Sequence, residues 1–177
     1  MKMHKFTCIV FTFISLSFFT ACQKDQNQQN KTELAQTNQN DSLLQVKLNY
    51  PKNEIALNEN AQNETEKWML YTAMEAEVTR MENYTLDDVI NNAPSILRAT
   101  DTLVQTIPKQ FRIKPVESRI KVLHTKASVL NQLCNKQQKD LDEVKKVAEE
   151  IPIDFYNLNI QLNEVFIEMP EIENLEK

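Results

Sequence analysis

VESRIKVLHTKASVLNQLC, residues Val116 to Cys134, decides the fold. Its apolar positions are Val116, Ile120, Leu123, Ala127, Leu130 and Cys134, at spacings of 4, 3, 4, 3 and 4. A helix turns once per ~3.6 residues, so this spacing keeps one stripe on one face. A strand would alternate by two instead. The stretch is therefore an amphipathic helix that must bury one side. Three further stripes have the same spacing. Leu141, Val144, Ala148, Ile151, Phe155, Leu158, Leu162 and Val165 follow it. Leu86, Ile90, Ala93, Leu97, Thr100, Val104 and Ile107 precede it, and Tyr71, Met74, Val78 and Met81, with Trp68 beside them, come first.

Composition agrees. The chain has 177 residues and no glycine, where about 7% is usual. Without glycine, turns that need positive φ are costly, which disfavours hairpins and sandwiches. Boundary signals divide the helices. Thr85 would cap a helix with Asp88 reaching back and Tyr84 packing on Val89. Pro115 suits a first turn, and Asp140 with Glu143 make a second capping pair. Pro94 and Pro152 interrupt neither stripe, so kinks rather than breaks are expected. The predicted fold is all-α: an antiparallel up-down four-helix bundle over residues 61–168, with helices of roughly 20–27 residues and short connections.

The amino terminus has other work. Met1 to Lys5 carries Lys2 and Lys5 and no acid, and Cys8 to Phe19 is uncharged and apolar. A basic start, a short apolar run and then small residues describe an export signal over residues 1–21. The run is shorter than the ~20 residues of a membrane-spanning helix. Phe19-Thr20-Ala21-Cys22 resembles the lipobox of bacterial lipoproteins, with Phe19 where Leu is usual. The resemblance implies cleavage before Cys22 and a lipid bilayer as partner through the acylated thiol. Gln23, Lys24 and Asp25 resemble the surface-export signal of Bacteroidota lipoproteins, with Gln26 in place of a second acid. That implies an outer-membrane address, at the cell surface. Cys8 would leave with the signal and Cys22 would carry lipid, so Cys134 would have no disulfide partner.

Residues 22–60 are rich in Asn and Gln and poor in large apolar side chains. Such a stretch buries too little to offset its ordering entropy, so a flexible tether is expected, spanning roughly 35 Å root-mean-square. Within it Leu44, Val46, Leu48 and Tyr50 alternate with polar residues. They form either an apolar patch that touches the domain or a segment that joins a partner's sheet edge. Asp41-Ser42-Leu43 and Asp101-Thr102-Leu103 resemble the O-glycosylation motif of Bacteroidota. Residues 169–177 form an acidic tail with Glu171, Glu173 and Glu176.

Missing residues exclude many chemistries. Phosphate-cradling loops, nucleophile elbows and EF-hand loops need glycines. Neither Glu-x-x-His nor Cys-x-x-Cys-His occurs, so neither a di-iron bundle nor attached haem is expected. Beyond the signal, His124 is the sole histidine, at the edge of its stripe. Haem held by His124 with Met69, Met74 or Met81 is the alternative to core packing of those residues. No catalytic residue, metal ligand or cofactor is assigned.

Lys109, Arg112, Lys114, Arg119, Lys121 and Lys126 cluster in sequence, interrupted by Glu117, in a chain of net charge −5. They form either helix faces complementary to Glu64, Glu66, Glu75, Glu77 and Glu82, or a basic patch for lipopolysaccharide or an acidic envelope protein. Nucleic acid is not an expected partner of an exported acidic chain. Ile107 to Leu130 and Gln161 to Glu164 resemble small helical lipoproteins of Flavobacteria-like organisms. The expected function is a non-enzymatic interaction or envelope-accessory module. The alternative is a carrier of haem, metal or lipid, using the bundle end near Trp68, Phe111 and Ile113.

Overall fold

Each stripe becomes a helix in the computed structural model, which describes residues 41–167. The chain divides into two units at Ser42. Of the first, only Asp41 and Ser42 are among the described residues. The second is all-helical: α1 Glu59–Thr65, α2 Met69–Met81, α3 Leu86–Gln105, a 3-10 turn Lys109–Phe111, α4 Lys114–Cys134 and α5 Leu141–Glu164. α4 packs on both α3 and α5, α2 packs on α3, and α2 also reaches α5.

Local chemistry sets the ends. The Thr85 side chain accepts from the Asp88 N–H, and Asp88 accepts from the Thr85 N–H, completing the capping box. Those bonds hold the Asp88 carboxyl below its usual range. Tyr84 packs against the core. Asp140 accepts from the Glu143 N–H at 3.0 Å, and Pro115 lies in the first turn of α4. α3 and α5 run unbroken through Pro94 and Pro152. No described residue has positive φ, in keeping with a chain that lacks glycine.

The α4 stripe is buried throughout, Cys134 included. The α3 stripe needs a correction. Leu86, Ala93, Thr100 and Ile107 of the expected stripe are buried, but Val89, Ile96 and Leu103 are buried in place of Ile90, Leu97 and Val104, which are half-buried. Both sets fit 3-and-4 spacing, and only packing against α4 and α2 selects the rotation. The first long helix is also shorter than expected. α2 has 13 residues, because Trp68 leaves helical geometry at φ −103°, ψ 80° and separates α1 from α2.

The largest correction concerns the tether. Expected to be flexible to residue 60, it is already part of the folded unit from Leu43. Leu48 is buried in the core. Its N–H donates to the Tyr84 carbonyl at 3.1 Å, and the Leu86 N–H donates to the Val46 carbonyl at 2.9 Å. This bridge pairs Lys47 with Thr85 antiparallel. Of the alternating positions Leu48 is buried and Tyr50 half-buried, whereas Leu44 is helical and Val46 exposed, so the segment packs on the α2–α3 connection of its own chain without a full strand. The flank of α5 then holds the strap, residues 45–58. The Glu149 carboxylate accepts from the Asn49 N–H and amide at 2.8 and 2.9 Å. Tyr156 Oη meets Tyr50 Oη at 2.8 Å. Asn159 Nδ2 donates to the Ile55 carbonyl at 2.9 Å, and Asn163 Nδ2 donates to that of Ala56 at 3.0 Å. Asn163 Oδ1 also accepts from the Asn58 N–H at 2.7 Å. A strap without a sheet partner must find bonds for its backbone, and polar side chains on one helix flank supply them.

Leu48→Ala is expected to cost about 2 kcal/mol in urea unfolding, the low end for large-to-small core changes, because the strap can lift instead of leaving a void. Amide exchange should quicken across residues 46–58 and stay slow in α4 and α5.

Candidate functional site

Seven aromatic rings run through the fold in a continuous chain: Phe166, Phe111, Trp68, Tyr71, Phe155, Tyr156 and Tyr50, with successive centroids 5.4 to 6.5 Å apart. Such pairs contribute about 0.5–1.5 kcal/mol each beyond the area they bury. Trp68 and Phe111 are buried and stacked at 6.0 Å, and Trp68 Nε1 donates to Thr106 Oγ1 at 3.0 Å. Ile113 lies on the surface. The end of the bundle proposed for a carrier is thus occupied by its own rings.

Open space lies further along the chain of rings. A cleft of about 410 Å³ is walled by the strap at Glu54–Leu57, by Gln62, Thr65 and Glu66 of the α1 region, by Tyr71, Thr72, Glu75, Val78 and Thr79 of α2, and by Phe155, Tyr156 and Asn159 of α5. Its floor is bonded tightly. Tyr71 Oη donates to Asn159 Oδ1 at 2.7 Å while Asn159 donates to the strap. Tyr71 and Asn159 are both buried. Burial raises the Tyr71 and Tyr156 hydroxyls well above the ordinary phenol range, so both remain neutral. Glu75 is exposed at its outer edge, yet burial against the cleft wall raises its carboxyl above the usual range.

The basic residues are divided by the fold. Lys126 pairs with Glu150 of α5. Asp154 feels Lys126 and Arg119, although burial still raises its carboxyl. Arg112 Nε donates to the Ile107 carbonyl at 2.8 Å. Lys109, Lys114 and Lys121 are exposed and make no described ion pair. Lys121 and Lys126 border a groove of about 350 Å³ with Val122, Thr125, Val129 and Val147. Of the acidic set, Glu77 is buried and bonded to Arg80 and Tyr84, and Glu64 binds Lys67 and Gln110.

His124 Nδ1 lies 3.3 Å from Thr100 Oγ1 between α4 and α3. Met74 and Met81 are core and Met69 is exposed. Among the described residues no three His, Cys, Asp or Glu side chains come together as a metal site, and no helix is long and apolar enough to cross a membrane. Thr102 Oγ1 is bonded to the Arg98 and Ala99 carbonyls of its own helix. Cys134 is a free, buried cysteine whose thiol burial pushes up to about 11. Cys22, Gln23, Lys24, Asp25 and the acidic tail from 169 lie outside the described residues. No protein-family model, curated protein or solved structure matches the chain. Function must be read from the residues themselves.

A raised carboxyl penalises folding when it ionises, so the Glu75 penalty is present near neutral pH and is relieved as pH falls through the raised value. Thermal melts of Glu75→Gln should therefore exceed wild type near neutrality and match it in strong acid. Cys134 should be about one part in ten thousand thiolate near neutrality. Peptide-resolved iodoacetamide labelling should leave it unmodified in the native chain and modify it fully in urea.

Proposed function

We propose that this chain is a lipid-anchored, non-enzymatic binding module of the bacterial outer membrane. The sequence Phe19-Thr20-Ala21-Cys22 carries the reading. Acylation there would join the chain to the bilayer, and two or more acyl chains anchor stably where one does not. Gln23, Lys24 and Asp25 add the surface address. The strap supports this arrangement, because the chain pairs first with the α2–α3 connection and then runs along α5, where bonds to Glu149, Asn159 and Asn163 spread a pull over several side chains.

The four longer helices are read as an antiparallel up-down bundle. Short connections at residues 82–85, 106–113 and 135–140 favour reversal of the chain between packed neighbours. Lys109, Arg112, Lys114, Arg119 and Lys121 are the basic residues offered to lipopolysaccharide or to an acidic envelope protein, with Lys126 held back by Glu150. The cleft favours a second reading, a small-ligand carrier, with its site at the strap rather than at Trp68 and Phe111.

Metabolic labelling with a palmitate analogue tests the anchor: label should be present in wild type and lost in Cys22→Ala. Protease shaving of intact cells tests the address separately. Degradation of the module on unbroken cells is expected, and full protection would place it on an inner face.

A further inference from the structure

The cleft has a more definite chemistry than its volume conveys. At about 410 Å³ it falls within the roughly 300–1,000 Å³ of small-molecule sites. Its lining holds three carboxylates, Glu54, Glu66 and Glu75, and no lysine, arginine or histidine. Five acids elsewhere, Glu64, Glu77, Glu143, Glu149 and Glu150, have a lysine or arginine partner. No described ion pair involves Glu54, Glu66 or Glu75. Three rings share that lining: Tyr71 and Phe155 are buried, and Tyr156 is half-buried. Ring faces attract cations, more strongly where water is excluded. The buried amide of the floor, Asn159, is already engaged through its oxygen and its nitrogen.

We propose that this cleft binds an organic cation, an amine or quaternary ammonium compound whose charge meets Glu75 and Glu54 and whose body lies on the half-buried ring of Tyr156. A bare metal ion suits the site poorly. Its carboxylates are spread over the strap, the α1 region and α2, and no three such ligands converge among the described residues. An anion would meet three carboxylates without a compensating base. Glu75 also has the environment that a cation would relieve, since burial disfavours its ionised form and a bound ammonium would favour it. The assignment rests on the reading of the chain as a binding module and names the ligand class of its second form.

Isothermal titration of the full chain in detergent, with benzyltrimethylammonium and with spermidine, tests it. One-to-one saturable binding of at least one is expected, weakened about fivefold or more in each of Glu75→Gln and Glu54→Gln. Both side chains are exposed, and thermal melts confirm that the variants fold. Absence of saturable binding by both cations overturns the assignment. So does binding that neither variant weakens, which is diffuse attraction to an acidic chain. Magnesium binding as tightly as the organic cations overturns it as well. Equal binding of neutral benzyl alcohol overturns the cation while leaving a carrier. None of these results bears on the anchor, which palmitate labelling decides alone.

Discussion

The fold depends on α5 having two working faces with opposite physics. One face, through Val144, Ala148, Ile151, Phe155, Leu158 and Leu162, is buried in the core. The neighbouring flank, through Glu149, Tyr156, Asn159 and Asn163, bonds the strap. The first face is driven by removal of apolar surface from water, and is tolerant of which apolar residue fills it. The second is directional. Each carbonyl or N–H of the strap needs a partner at the right place, and a missing partner costs more than a made bond contributes. The strap therefore has one register on the helix.

This division explains the aromatic chain and the cleft together. The departure from helix at Trp68 separates α1 from α2. The rings of Trp68 and Phe111 fill one side of that break. On the other side, the strap crosses at Glu54–Leu57 and leaves space above Tyr71 and Asn159. The Tyr71–Asn159–Ile55 bonds link the core, α5 and the strap, so the floor of the cleft is the same set of contacts that holds the strap in place. A ligand there would bear on both.

Electrostatics follows the same pattern of local settlement. Part of the charge run on α4 is met across the helix pair, with Lys126 on Glu150 and Arg119 near enough to act on Asp154. Exposed pairs of this kind contribute about a kilocalorie per mole or less. They set which faces meet more than how firmly they hold. The three acids of the cleft share a lining that holds no lysine, arginine or histidine.

The helices were legible in the sequence because their signals are local. Spacings of three and four mark a buried face, the absence of glycine removes the usual turns, and Thr85 with Asp88 forms a cap from residues three apart. Leu44, Val46, Leu48 and Tyr50 already carried the alternation of an extended segment. Three things were settled only in three dimensions. The rotation of α3 onto Val89, Ile96 and Leu103 depends on its neighbours, because two stripes share its spacing. The docking of the strap depends on amides and a carboxylate about a hundred residues away, and Asn-rich sequence reads equally as a solvated linker. The cleft depends on both, since its walls come from four separate segments. Spacing along a chain reports which face of an element is apolar. It carries no record of which distant polar group will satisfy a given carbonyl, and that pairing is what made the tether's last residues part of the fold.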